Sequence, residues 1–452
     1  MCAYPRSSAL TTDLYELTMA AAYFKHEMTA SATFELFARD LPENRGYLVT
    51  CGLEPALEYL EELRFTAEDI GYLRGLPAFA RVRDGFWDYL AALRFTGDVW
   101  AIAEGTPVMA NEPLLRVTAP LIEAQILESY LLAVVNHQTL IATKAARVVD
   151  AARGRDVVDF GLRRAHGTDA AFWAARACYV GGCVGTSNVD AARAFGIPAV
   201  GTAAHSFTLA FGDETAAFEA YADTFPDRAI LLIDTYDTLE GARRAARLGP
   251  KLAGVRLDSG DLAALSKEVR AVLDAAGCSA ARIVGSGDLD EFRIAELLDA
   301  GAPIDLFGVG TSMIVSRDAP ALSGVYKLVA IEDRPRAKRS AGKVNLPGTK
   351  QVARFLADES RYARDEIMCA DEPVPGGAKP LLEPVMRGGR RIRPAPPLDE
   401  LRERAARERA KLPPGVRRLR DPDEFPVSVS ARLRALTDLA YREQAAQEGD
   451  QR

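Results

Sequence analysis

The run GTAAHSF, residues 201–207, sets His205 among small residues just past the short apolar segment Ile197–Val200. An imidazole at the end of a buried strand is placed to carry a proton or to act as a nucleophile. Only four histidines occur, at 26, 137, 166 and 205. Other reactive side chains recur where an apolar run gives way to polar residues. Arg163 and Arg164 follow Phe160-Gly161, and a guanidinium fork matches a carboxylate or a phosphate. Thr202 stands three positions before His205, and Asp234, Thr235 and Asp237 close another apolar run. Arg256, Asp258 and Asp261 close the next. Ser286-Gly287 and Gly310-Thr311 are small-residue turns whose backbone N–H groups can cradle a phosphate. Carboxylates at 234, 258 and 261 suit magnesium held through water beside phosphates. Each feature alone has a structural alternative: a hydrogen-bonded core histidine, a surface ion pair, a turn that needs glycine anyway. Their recurrence at successive strand ends points to a small anionic substrate, a phosphorylated partner, a divalent cation and one histidine.

The elements that must position these groups are legible as patterns. From about residue 155, short apolar runs (VVDFG, IPAVGTA, AILLIDTYD, LAGVRLDSGD, ARIVGSGD, PIDLFGVGTS) alternate with helical stretches such as LAALSKEVRAVLDAAG. Apolar strands separated by helices predict β/α units with a parallel sheet buried on both faces. Six such units predict an irregular or incomplete barrel, with a doubly wound sheet as the alternative; either gathers the strand ends at one mouth. Upstream, residues 13–25 predict an amphipathic helix capped by Thr12 or Asp13, and 31–39 a half-buried strand. Helices are expected near 54–63 and 79–93, strands at DVWAIAEG and EPLLRVTAP, and one long helix over 121–149. After Ser312 strand-like pieces return: VYKLVAIE, KQVARFLAD and DEIMCADE. Segment 387–420 mixes arginine, glutamate and proline and predicts solvated helix and loop.

Composition narrows the classes. The 452 residues suffice for two or three domains, with 48% hydrophobic and 26% charged residues, as in an ordinary globular protein. A net charge of −7 argues against a general nucleic-acid binder. Six cysteines, at 2, 51, 178, 183, 278 and 369, form no C-x-x-C pair, so neither a zinc site nor a disulfide framework is expected. Reduced thiols, no apolar run of spanning length and no signal-peptide layout lead to an expected cytoplasmic location.

The motifs TDLYELTMAAAYF (12–24), FELFARDLPENRGYLVTCGLE (34–54), DFGLRRAHG (159–167), GTSNVDAARAFGIPAVGTAAHSF (185–207), DTYDTLEGA (234–242), GVRLDSGDL (254–262), SGDLDE (286–291), FGVGTS (307–312), VYKLV (325–329) and LPGTKQVAR (346–354) occur in order. Through them the chain resembles the nicotinate phosphoribosyltransferase family over about residues 10–355. The resemblance implies an irregular (β/α) barrel at 151–320. A smaller α+β domain would be built from 1–150 and 321–452, ending in a helical tail. It implies transfer of nicotinate to 5-phospho-α-D-ribose 1-diphosphate, giving nicotinate ribonucleotide and diphosphate, with Mg2+ and coupled ATP hydrolysis, in NAD formation from nicotinate. It implies that His205 is the phosphohistidine; Asp258 is expected to be a second catalytic residue. Tyr15, Arg163, Thr202 and Arg256 would line the nicotinate site, and Ser286, Gly287, Gly310 and Thr311 the phosphoribosyl diphosphate site. Magnesium would sit near Asp258 and Asp261. The helix bearing Tyr15 would reach a neighbouring barrel in a homodimer with shared sites. The cysteine set that binds zinc in some relatives is missing, which implies no structural metal.

Three other readings share parts of this pattern. A nicotinamide phosphoribosyltransferase would take a neutral amide and need no cations at 163, 164 and 256. A quinolinate enzyme would need a more basic pocket on a shorter chain. A binding protein that had lost catalysis would not need His205, Asp258 and Gly310-Thr311.

Overall fold

A computed structural model describes residues 8–226, 228–338 and 346–450, the last seven of these as backbone only. The chain divides into two units, Ile141–Pro320 and the two ends Met1–Leu140 with Ala321–Arg452. The unit made from both ends holds more residues than the central one.

In the central unit six strands run parallel: β1 (Asp156–Asp159), β2 (Gly185–Thr186), β3 (Ala229–Leu232), β4 (Leu252–Leu257), β5 (Arg282–Gly285) and β6 (Leu306–Val309). They lie side by side as β3-β4-β5-β6-β1-β2. This is the cyclic order of a β/α barrel with one seam unpaired, between β2 and β3. Helices Thr168–Gly181, Thr238–Ala246, Leu262–Ala275 and Glu291–Asp299 fill the crossovers. Val158, Val284 and Leu306 form a small core, joined by Phe160, Val184, Val200 and Ile230.

Two expectations change here. Ile197–Val200 is not a strand; it adds one parallel bridge, Thr186↔Ala199, beyond β2. The true β2 is two residues long and has no apolar run to announce it. The connection from β2 to β3, at the open seam, therefore carries GTAAHSF.

The terminal unit is discontiguous because Ser31–Ala38 pairs antiparallel with Pro113–Pro120 on one side and Gly324–Ile331 on the other. These strands lie in a seven-stranded sheet, and a four-stranded sheet includes Lys350–Asp358 and Arg361–Cys369. Ser31–Ala38 is buried on both faces rather than one. Its polar positions are absorbed by partners: Glu35 pairs with Lys350 at 2.7 Å, and the Thr33 and Thr118 hydroxyls meet at 2.9 Å. The expected helix over 121–149 is two, Leu121–Gln125 and Glu128–Ala151. Helix Leu14–Lys25 begins after Asp13, whose side chain accepts from the Ser129 hydroxyl at 2.8 Å instead of capping the helix. In the arginine-rich segment, Arg387, Arg391 and Arg393 pair with Asp98, Glu61 and Glu383. The five cysteines among the described residues are buried thiols; Cys2 lies outside them.

Candidate active site

Parallel strands deliver their C-terminal ends to one side of a sheet, so the loops after β1, β3, β4, β5 and β6 share a mouth. The segment from the open seam folds over this mouth. His205 is the first residue of helix His205–Phe211, after Ala204 in extended conformation. Its Nδ1 lies 3.2 Å from the Thr235 hydroxyl, and its Nε2 3.9 Å from Asp234 Oδ1. The ring is 41% exposed while the Asp234 side chain is 1% exposed, so the imidazole is reachable and the carboxylate behind it is not.

Asp234 is fixed by its other oxygen. The Asp258 N–H and the Ser259 hydroxyl donate to Oδ2 at 3.0 and 2.6 Å. Oδ1 is buried with no hydrogen-bond partner among the described residues. The loop after β3 is thereby tied to the loop after β4. Asp258 in turn accepts from the Ser286 hydroxyl at 2.5 Å, which ties in the loop after β5. Ser286 also donates its backbone N–H to the Leu257 carbonyl at 2.8 Å.

Arg256, on β4, reaches back to the seam segment. Its Nη1 donates to the Thr202 hydroxyl and, at 3.4 Å, to the Ala203 carbonyl. Its Nη2 lies 3.6 Å from Asp258 Oδ1, while Nε is buried without a hydrogen-bond partner among the described residues. Burial lowers the affinity of this guanidinium for its proton; Asp258 and Asp234 oppose that shift and the nearby Arg163 reinforces it. Arg163 and Arg164, in the short 3-10 turn after β1, are exposed. Neither has a carboxylate partner among the described residues. The mouth therefore holds cations with donors to spare, the condition for receiving an anion.

The two glycine turns have distinct reasons. Gly287 has φ +87°, and a methyl there would run into the Asp258 carbonyl. The turn after β5 must hug the turn after β4, and only glycine allows it. At β6, a methyl on Gly308 would strike the Phe160 ring. Gly310, with φ −112° and ψ −103°, leads into Thr311, the first residue of the short helix Thr311–Ile314.

The structure thus brings Thr202, His205, Asp234, Thr235, Arg256, Asp258, Ser286 and Gly287 into one contact network. Arg163 joins it only through its charge on Arg256. Asp261 stands apart: its Oδ1 accepts from the N–H groups of Ala263 and Ala264 and caps helix Leu262–Ala275. Tyr15 lies in the terminal unit, 45% exposed, its phenol hydrogen-bonded to Glu128 and held protonated first by burial. His166 is exposed. One positioning residue was not legible in the sequence. Asp159, the last residue of β1, is fully buried and accepts from the Gly161 N–H at 2.8 Å and the Thr186 hydroxyl at 2.7 Å. It sets the start of the arginine turn; its signal was a lone carboxylate closing an apolar strand. A cavity of about 520 Å³ in the terminal unit, lined by Phe37, Leu41, Met109, Ile367 and Phe425 among others, contains none of these residues.

Comparison with known proteins gives a consistent picture. Residues 10–136 match the nicotinate phosphoribosyltransferase N-terminal domain, 156–344 the nicotinate phosphoribosyltransferase family, and 375–437 the corresponding C-terminal domain. Nicotinate phosphoribosyltransferase pncB2 of Mycobacterium tuberculosis is 51% identical over 433 residues, covering 94% of this chain and 92% of that protein. Nicotinate phosphoribosyltransferase of Bacillus subtilis is 44% identical, covering 81% of this chain and 77% of that protein. Among solved structures, human nicotinic acid phosphoribosyltransferase aligns with a TM-score of 0.84 at 31% identity, covering 94% of this chain and 99% of that one.

Proposed function

From the premise that the chain belongs to the nicotinate phosphoribosyltransferase family, we propose that it joins nicotinate to 5-phospho-α-D-ribose 1-diphosphate and couples this to ATP hydrolysis through His205. The pyridine nitrogen attacks the ribose C1, the bond from C1 to the diphosphate oxygen breaks, and diphosphate leaves with the electron pair. The ring nitrogen carries no proton to remove, so a general base has little to do. The work is orientation and charge stabilisation. The observation that carries the reading is Arg256: a largely buried guanidinium whose Nε–H has no hydrogen-bond partner among the described residues, anchored through Thr202 to the segment that carries His205. A carboxylate satisfies such a group and a neutral amide does so poorly. Arg163 adds a second positive charge to the same mouth.

His205 serves better as a phosphate acceptor than as a base. Its nitrogen attacks the γ-phosphorus of ATP, ADP departs, and water later releases phosphate from the imidazole. The Thr235 hydroxyl, hydrogen-bonded to Nδ1, holds the ring against rotation, and Asp234 lies 3.9 Å from Nε2. Ser286, Gly287, Gly310 and Thr311 would receive the phosphoribosyl diphosphate. Asp258 would hold magnesium in this mouth, with Asp234 Oδ1, buried and without a hydrogen-bond partner among the described residues, as a second oxygen, while Asp261 spends an oxygen on its helix. When bound beside the diphosphate, such an ion would supply charge neutralisation to the leaving group. Exposed Leu14 and Tyr15 on helix Leu14–Lys25 suit contact with a second copy in a homodimer with shared sites. The activity would serve NAD formation from nicotinate, and the proposed location is the cytoplasm.

The test is turnover by purified protein with nicotinate or nicotinamide, phosphoribosyl diphosphate and magnesium, with and without ATP. Nicotinate ribonucleotide formed faster with ATP supports the reading. No nucleotide from nicotinate, or equal use of nicotinamide, overturns it.

A further inference from the structure

A cluster of four ionisable side chains, Lys144, Arg147, Glu291 and Asp318, lies within the central unit, outside the set of residues placed around His205. Lys144, on helix Glu128–Ala151, is 1% exposed. Its Nζ lies 2.5 Å from Glu291 Oε2 and 2.7 Å from Asp318 Oδ1. Arg147, one turn along, places Nε 3.0 Å from Glu291 Oε1. In these contacts two cations face two carboxylates.

The positions of the two carboxylates give the cluster its meaning. Glu291 is the first residue of its helix, directly after Ser286-Gly287-Asp288-Leu289-Asp290. Asp318 lies just beyond the short helix that opens at Thr311, in a stretch folded back on itself: the Arg317 N–H donates to the Ser312 carbonyl at 3.0 Å, and the Ala319 N–H to the Ser316 carbonyl at 2.8 Å. One ammonium thus joins Glu291, directly after the small-residue turn that follows β5, to the stretch just beyond the short helix that follows the turn after β6. Apart from the β5–β6 pairing itself, these turns depend on different elements: the first is hugged by the Asp258 carbonyl, the second is set by Phe160. An ion cluster this deep is poor value as a stabiliser, because apolar side chains of similar volume commonly do as well. What it does supply is a fixed separation between the groups that it joins.

We propose that Lys144 is a positioning residue that ties the turn at Ser286–Asp290 to the turn at Gly310–Thr311, so that the two close on one phosphorylated ligand as a single cradle. The inference rests on the reading of these turns as the phosphoribosyl diphosphate site. Lys144 acts through Glu291 and Asp318; it does not touch the ligand. Loosening the tie misplaces donors by a fraction of an ångström on one substrate and leaves the nicotinate side anchored by Arg256 and Thr202.

The test compares the parent with Lys144→Met and Asp318→Asn. The second is the milder change, since the Asp318 side chain is 33% exposed and the Lys144–Glu291 pair survives it. Steady-state kinetics should show KM for phosphoribosyl diphosphate raised about tenfold in Lys144→Met and less in Asp318→Asn, with KM for nicotinate unchanged. Calorimetry with inorganic diphosphate and magnesium should show a parallel loss of affinity. A merely structural role would lower the melting temperature and the active fraction but leave both KM values alone, and that result overturns the proposal. Should Lys144→Met fail to fold, Asp318→Asn decides by the same criteria. If the parent makes no nucleotide, the functional reading fails by itself. Diphosphate binding then judges the tie: weaker in the variants supports it, equal overturns it.

Discussion

Replacing Arg256 by glutamine separates recognition of a carboxylate from the stability of the fold. The guanidinium loses its charge and its donors to Thr202 and Ala203, but its neighbours keep other partners. Asp258 retains the Ser286 hydroxyl, and Asp234 retains the Asp258 N–H and the Ser259 hydroxyl. Burial already disfavours the Arg256 charge, so neutralising it removes a desolvation cost along with the bonds. The melting temperature should therefore move by no more than a few degrees. Recognition should suffer much more. A hydrogen bond to a charged partner contributes about 1.5–3 kcal/mol, which corresponds to a loss of about 10- to 150-fold in kcat/KM for nicotinate. Nicotinamide, with no charge to lose, should be affected far less, so the preference between the two substrates collapses. The assay is nucleotide formation from each substrate at saturating phosphoribosyl diphosphate, beside a thermal melt. Equal losses on both substrates with an intact melt would show that Arg256 orients something other than the carboxylate, and the reasoning would fail.

Other perturbations probe separate parts of the molecule. His205→Ala should abolish both ATP stimulation and label transfer from γ-labelled ATP to the protein; ATP stimulation that survives it refutes the phosphohistidine role. Gly287→Ala forces a side chain into left-handed backbone at about 1–2 kcal/mol and drives a methyl against the Asp258 carbonyl. It should raise KM for phosphoribosyl diphosphate by tenfold or more, and an unchanged KM would show that the turn is not part of that site. Glu112 is fully buried, accepts from the Met109 N–H at 2.8 Å and hydrogen-bonds Asp365. Burial, then the Asp365 charge, hold its carboxyl well above the usual range, against the pull of Arg354. The folded state thus holds this proton more tightly than the unfolded one. Its contribution is greatest below the unfolded value of about 4.3 and falls away as pH rises toward the folded one. The melting temperature of Glu112→Gln, minus that of the parent, should grow between pH 5 and 8; a flat difference contradicts the assignment.

Much of this was legible along the chain, for a physical reason. Parallel strands buried on both faces read as apolar runs, and the first polar residue after each marks the mouth. That is why Arg163, Asp234, Arg256, Asp258 and Ser286 stood out together. The pattern failed where hydrophobicity and strand pairing part company. Gly185–Thr186 pairs without an apolar run, whereas Ile197–Val200 has the run and makes a single bridge. Ser31–Ala38 alternates like a half-buried strand, yet Glu35 and Thr33 are buried because Lys350 and Thr118 meet them from distant segments.

The sequence by itself determined the inventory: one histidine in GTAAHSF, cations enough for a carboxylate, two turns that only small residues can make. These depend on side-chain chemistry and local backbone freedom, which adjacent residues specify. Only the tertiary structure decided who partners whom. It put Asp234 behind His205 from 29 positions away, spent Asp261 on a helix end, and set Lys144 against Glu291 and Asp318, 147 and 174 positions further along. Burial and pairing are properties of a neighbourhood, and this neighbourhood exists only once the sheet has closed up to its one open seam.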